Sequence, residues 1–111
     1  GKLTLGENIG DNGGLNISLR ALENVLKENP SAAKTIDGFT PLQRFFLSWA
    51  TVWAGNARPE FIDRQIKTDP HSPAEARVNA ALPQIDAWYK AFNVKKGDKL
   101  FLDKKKRAQI W

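Results

Sequence analysis

"DGFTPLQRFFLSWATVWAG", residues 37–55, decides the class of fold. Thr40 is a helix-capping residue, and Pro41 suits the first helical position, where its missing N–H would have no partner in any case. Gln43 stands where it completes a capping box with Thr40. Leu42, Phe45, Phe46, Trp49, Val52 and Trp53 follow at helical spacings and form one apolar stripe. Gly55 marks the expected stop.

The same periodicity extends to both sides. Upstream, Leu15, Ile17, Leu19, Leu22, Val25 and Leu26 predict an amphipathic helix that Asn29-Pro30 ends and that starts at Leu15 or as early as Glu7. Downstream, "RPEFIDRQIKT" (58–68) predicts a short helix entered at Pro59. "DPHSP" (69–73) excludes regular helix, because two prolines flank His71 and stiffen a loop. "SPAEARVNAAL" (72–82) restarts a helix, with Ser72 as the expected cap, Pro73 at its first position and Glu75 in the box position. "PQIDAWYKAF" (83–92) adds a further turn or two with Ile85, Trp88, Tyr89 and Phe92 on one side, and "NVKKGDK" (93–99) is a turn-rich exit. No strand pattern, internal repeat or low-complexity linker interrupts this series, so the expected class is all-α.

The chain has 111 residues, 41% of them hydrophobic, with four Trp and six Phe. That composition suits one folded domain and excludes disorder. A domain this small buries only about 60% of its unfolded surface. The aromatic faces are therefore expected to pack on a further segment, and the chain reads as a piece of a longer protein; the absence of Met agrees with that.

Charge is unevenly placed. Residues 1–94 carry ten basic and ten acidic side chains, whereas 95–111 carry seven basic and two acidic, so the whole +5 lies in the tail. Such a tail is either a solvated surface or a contact for nucleic acid, anionic lipid or an acidic partner. The second option supports an alternative function, a non-catalytic helical interaction module. Without cysteine there is no disulfide framework and no thiolate metal site. No apolar run approaches the ~20 residues that span a bilayer, and "GKLTLGEN" lacks the order of a signal peptide.

Four features bear on chemistry. Glu7 and Asp11 fall on one face of a helix, where unpaired carboxylates repel, so a positive group is expected opposite them. The spacing admits a solvated pair beside an Arg or Lys as well as a metal site. Gly6, Gly10, Gly13 and Gly14 each weaken a helix by up to about 1 kcal/mol, which points either to close approach of another backbone or to a turn before Leu15. His71, the one histidine, is held in a stiff loop as an acid–base group, a hydrogen-bond donor or a surface residue. Arg77 carries a planar donor fork for a carboxylate or a substrate carbonyl. One His and no Cys cannot close a catalytic zinc site, which uses three protein ligands. Nucleophile-elbow, Cys-nucleophile and phosphate-loop signatures are missing.

"GKLTLGENIGDNGGL", "DGFTPLQRFFLSWATVWAG", "RPEFIDRQIKTDPHSPAEARVN" and the final "IW" resemble, in order and spacing, the carboxy-terminal part of the neprilysin-like zinc endopeptidases. The similarity covers nearly the whole chain and is weakest between residues 80 and 107. In that family an upstream His-Glu-x-x-His helix, which this chain lacks, supplies two zinc ligands and the general base. The resemblance implies that Glu7 is the third zinc ligand and that Asp11 orients a ligating histidine. It implies that His71 stabilises the oxyanion and that Arg77 contacts the substrate backbone and pairs with Asp11. Val52 and Trp53 match positions lining the pocket for the bulky apolar side chain just after the scissile bond. Residues 1–111 are thus expected to be the carboxy-terminal segment of a catalytic domain, with Trp111 as its end and the basic tail 95–111 within it. The implied cofactor is one zinc ion in the whole enzyme, and the implied partners are peptide substrates and the upstream half of the domain, with no nucleic acid. Taken alone, the chain is expected to be inactive, to bind zinc weakly at most, and to be prone to self-association. Gly10 stands where Ala is common. Ala54, Asn93 and Ala108 replace cysteines of animal relatives, which resembles the bacterial oligopeptidase O type, cytoplasmic or exported.

Overall fold

The computed structural model describes residues 2–110; the expectation about Trp111 lies outside them. Among the described residues five α-helices follow one another: α1 (Leu5–Glu28), α2 (Pro41–Val52), α3 (Pro59–Thr68), α4 (Ala74–Asn79) and α5 (Asp86–Phe92), with 3₁₀ turns at Pro30–Ala33, Leu82–Gln84 and Lys104–Lys106. Among the described residues the one β feature is an isolated antiparallel bridge between Ile36 and Phe39. Asp37 (φ 51°) and Gly38 (φ 81°) turn the chain there, a pairing that two-residue turns with positive φ favour. The all-α expectation holds.

α2 forms as its local signals dictate. Thr40 accepts from the Gln43 backbone N–H at 3.3 Å, and the Gln43 side chain accepts from the Thr40 N–H at 2.9 Å. The amide of Gln43 also donates to the Ala91 carbonyl at 2.8 Å, which ties the start of α2 to α5. The helix stops at Val52, with Trp53 as its cap. Gly55 thus lies beyond the end and is not the stop.

At α1 the earlier of the two expected starts is the one taken, whereas the start of α4 differs from expectation. α1 runs unbroken from Leu5 through all four glycines, because Leu15 and Leu19, 4% and 6% exposed, anchor it in the core. Outside the helix's own backbone, no atom of the described residues lies within 4 Å of where a Cβ would stand on Gly6, Gly10 or Gly14, so at those three positions no other described backbone makes a close approach. At α4, Ser72 does not cap. Pro73 occupies the cap position and no side chain bonds the helix start, which forgoes about 1 kcal/mol. Glu75 accepts instead from Asn79 at 3.3 Å.

The core joins Leu15 and Leu19 of α1, Phe46 of α2, Ala81, Leu82 and Ile85, and Trp88 and Tyr89 of α5. Phe46, 1% exposed, is its centre, a burial worth about 2–3 kcal/mol. The basic tail folds back on this core. Arg107 stacks 3.5 Å over the Tyr89 ring, and Asp86 pairs with Arg107 at 2.6 Å and with Lys104 at 3.0 Å. Those two cations are committed within the chain.

The accessible surface is 7964 Å², whereas a self-contained chain of this mass exposes about 6,100 Å². The radius of gyration, 15.4 Å, likewise exceeds the ~13 Å of a compact domain. The excess is apolar in part: Leu5, Ile17, Val25, Val52, Phe61 and Ile66 are all at least half exposed. The expectation named aromatic faces; among these side chains only Phe61 is aromatic, because Phe46, Trp88 and Tyr89 are buried and Phe45, Trp49, Phe92 and Phe101 pack against the core.

Candidate active site

The first two turns of α1 place Glu7 and Asp11 on one face, as their spacing requires. Asp11 meets Arg77, which α4 carries at its last turn. Arg77 Nε donates to Asp11 Oδ2 at 2.7 Å and Nη2 donates to Oδ1 at 2.5 Å. Both side chains are largely buried, at 13% and 9% exposure. The positive group expected opposite the carboxylates is therefore Arg77. Its guanidinium is held more firmly protonated than usual, chiefly by the hydrogen bonds to Asp11 and further by the nearby charges of Asp11 and Glu7.

The base of Arg77 is also fixed. Trp49 Nε1 donates to its carbonyl at 3.2 Å, and the guanidinium carbon lies 3.8 Å from the centroid of the Trp53 ring. A cation over an indole face is attracted by the ring quadrupole. With Nε and Nη2 turned to Asp11, the fork presents its Nη1 edge elsewhere. Trp53 Nε1 is itself buried with no partner among the described residues.

His71 faces Glu7. Its Nε2 lies 3.2 Å from Glu7 Oε2 and its Nδ1 lies 2.9 Å from Asp69 Oδ1, with both side chains of each pair about half exposed. Each ring nitrogen thus faces a carboxylate oxygen. Asp69 escaped the sequence reading. The signal was the Asp-Pro-His order, in which an aspartate accepts from the backbone two residues on: Asp69 Oδ1 takes the His71 N–H at 2.8 Å. That backbone bond, followed by the ring bond, holds the Asp69 carboxyl below its ordinary value. Ser72, the next residue, donates its hydroxyl to Asn8 Oδ1 at 2.8 Å.

A cleft of about 740 Å³ opens beside these groups, with Trp53, Phe61 and Ile62 as apolar lining and Gln65, His71 and Arg77 among its polar lining. An apolar wall beside a few fixed polar groups is the usual make-up of a ligand site. Val52 is not part of it. That side chain is 67% exposed and lines a separate apolar groove between α1 and α2 with Leu15, Leu22 and Phe45. Sequence neighbours on a helix point about 100° apart, so Val52 and Trp53 serve different surfaces here.

Glu7, Asp11, His71 and Arg77 thus gather in one place, drawn from three segments. Residues 1–108 match the profile of Peptidase family M13. The chain belongs to that family. Human neprilysin is 39% identical over 110 residues, which is 97% of this chain and 14% of neprilysin. Neprilysin-1 of Caenorhabditis elegans is 37% identical across the whole chain, and 15% of that relative is covered. Among solved structures, the zinc metalloprotease Zmp1 of Mycobacterium tuberculosis in its open state superposes with a TM-score of 0.92 at 45% identity, over 99% of this chain and 17% of Zmp1. The inhibitor complex of Zmp1 gives 0.92 at 46%, over 98% of this chain and 16% of Zmp1. This M13 chain is an all-helical element matching a small part of much longer peptidase chains.

Among the described residues no three His, Cys, Asp or Glu side chains form a group that could hold a metal ion. Glu7 is nonetheless suited to be one ligand, since its half-exposed carboxylate on the surface of α1 has His71 beside it and carboxylate oxygen is an ordinary zinc donor. No helix of the described residues is long and apolar enough to cross a membrane.

Proposed function

We propose that this chain forms the carboxy-terminal wall of the active site of a zinc-dependent endopeptidase that hydrolyses small peptides on the amino side of bulky hydrophobic residues. The observation that carries the reading is the convergence of Glu7, Asp11, His71 and Arg77 through the His71–Glu7 and Arg77–Asp11 pairings. Residues 1–111 serve as one segment of the catalytic domain, and the remaining ligands and the general base come from the rest of the enzyme.

Glu7 is assigned as the zinc ligand of this segment, and the bound ion would supply Lewis-acid polarisation of the scissile carbonyl and activation of water. Asp11 keeps a free lone pair on each oxygen after serving Arg77, which suits it to orient a ligating imidazole. His71 donates toward the oxyanion that develops on the carbonyl carbon's oxygen. Its ring is held from behind by Asp69, so little reorganisation is needed when charge appears. Arg77, fixed by Asp11 and Trp53, offers its remaining N–H groups to a substrate carbonyl.

The apolar lining of the cleft supports a preference for a bulky side chain, with Trp53 in its wall. Peptides are the substrates and zinc the cofactor in this reading.

The test is made in the full-length peptidase that carries this segment. Glu7→Ala is expected to lower bound zinc, whereas His71→Ala is expected to keep zinc and lose about a hundredfold or more in kcat. If both variants retain zinc and near-normal turnover, the assignment is wrong.

A further inference from the structure

Ser72 satisfies every local rule for a helix cap yet turns its hydroxyl away from α4. It is 8% exposed, and its hydroxyl donates to Asn8 Oδ1 at 2.8 Å, across 64 positions of sequence. Asn8 directly follows Glu7, and Ser72 directly follows His71. The bond therefore joins the two backbones that carry the facing groups of the site.

The Arg77–Asp11 pair holds the following helix α4 on α1, but the loop itself has few other means of docking there. Pro70 and Pro73 have no N–H to donate. Asp69 shapes the loop from inside, through the His71 amide and ring. Gln65 of α3 reaches the His71 carbonyl at 3.4 Å. Both contacts set the form of the loop, and neither sets its distance from α1. The His71–Glu7 contact is half exposed on each side, and exposed pairs hold weakly. The Asn8 amide is oriented in turn, with Nδ2 3.5 Å from Thr4 Oγ1.

We infer that Asn8 and Ser72 are positioning residues that act through His71: their hydrogen bond holds the 69–73 loop on the first turns of α1 and fixes His71 against the Glu7 side of the site. The inference rests on the role proposed for His71. Neither residue touches substrate in it, and zinc binding is not their task.

The experiment is a set of variants in the full-length peptidase: Ser72→Ala, Asn8→Ala and the double variant, each with and without His71→Ala, and Ser72→Thr as the conservative control. A catalytic group displaced by about 1 Å loses on the order of a hundredfold. Ser72→Ala and Asn8→Ala are therefore expected to lower kcat by about tenfold to a hundredfold, with KM within about twofold and zinc content unchanged. The double variant is expected to be no worse than either single one, as for two ends of one bond. Ser72→Thr keeps the hydroxyl and most of kcat. In zinc-free protein, amide exchange in the 69–77 segment is expected to quicken in both alanine variants. On the His71→Ala background the same substitutions are expected to change kcat no further.

Unchanged kcat in both single variants, or an equal loss on the His71→Ala background, overturns the inference. Asn8 is exposed, so Asn8→Ala carries the test should Ser72→Ala not fold. If His71→Ala itself leaves kcat intact, the reading of the active site fails. If His71→Ala is slow and the Ser72 and Asn8 variants are normal, the positioning role alone fails.

Discussion

Arg77 reaches back 66 positions to grip Asp11 through two parallel hydrogen bonds, and its guanidinium carbon lies over the Trp53 ring. One residue of α4 thereby locks together the helix that carries Glu7 and the end of α2.

That geometry makes a split prediction. Asp11→Ala leaves a largely buried guanidinium without a partner and is expected to cost about 3 kcal/mol, read as a lower urea midpoint. Arg77→Lys keeps the charge and loses the fork, and is expected to lower kcat/KM of the full-length peptidase by about tenfold or more. An unchanged specificity constant in the lysine variant would make Arg77 a structural residue only.

Asp69 gives a pH dependence. Its folded-state pKa is depressed by the His71 backbone bond and ring. The contribution is therefore present above the ordinary aspartate value of 3.8 and lost as pH falls through the lower folded value. Amide exchange at His71, corrected for intrinsic rates, is expected to be flat from neutral pH down to about 4 and to quicken in stronger acid. Asp69→Ala is expected to quicken it at every pH. Equal protection in that variant at neutral pH would mean that Asp69 does not order the loop.

Trp53 and Val52 are expected to separate. Trp53 both supports Arg77 and lines the cleft, so Trp53→Ala should lower kcat/KM for peptides with a bulky apolar residue after the scissile bond by more than it does for small ones. Trp53→Phe keeps an aromatic face and should retain most activity. Val52→Ala, at an exposed position, should change stability by no more than about 0.5 kcal/mol. If it shifts specificity as strongly as Trp53→Ala, the groove between α1 and α2 closes onto the pocket in the whole enzyme.

The chain by itself exposes far more surface than its mass requires, part of it apolar, and exposed apolar surface drives association. Sedimentation of the 111-residue chain is expected to show concentration-dependent self-association, and a quenched peptide should remain uncut. Chelator-sensitive cleavage by this chain alone would contradict the proposal that the other ligands lie elsewhere.

What was legible in the residues is what short-range physics settles. The start of α2 follows from Thr40, Pro41 and Gln43, whose bonds close within four residues, and the stripe on that helix names Phe46 as core. The Glu7, Asp11, His71 and Arg77 constellation was read from motifs at family spacing, and the Asp11–Arg77 pair observed agrees with it. Glycine content obscured the start of α1, because helix propensity is weak beside the burial of Leu15 and Leu19.

Ser72 marks where sequence alone stops. Ser-Pro-x-Glu fits a cap as well as any other use, and the hydroxyl has one proton to donate. The choice was made by Asn8, which only the packing of the loop on α1 brings within 2.8 Å. Trp53 was decided in the same way, by the Arg77 guanidinium packed over its ring, whereas Asp69 finds its partner His71 only two residues on. Local hydrogen bonds and periodicity thus determined the helices and their apolar faces. Which polar groups face one another was left to tertiary structure, because such a bond is directional and short-ranged while its partners lie far apart along the chain.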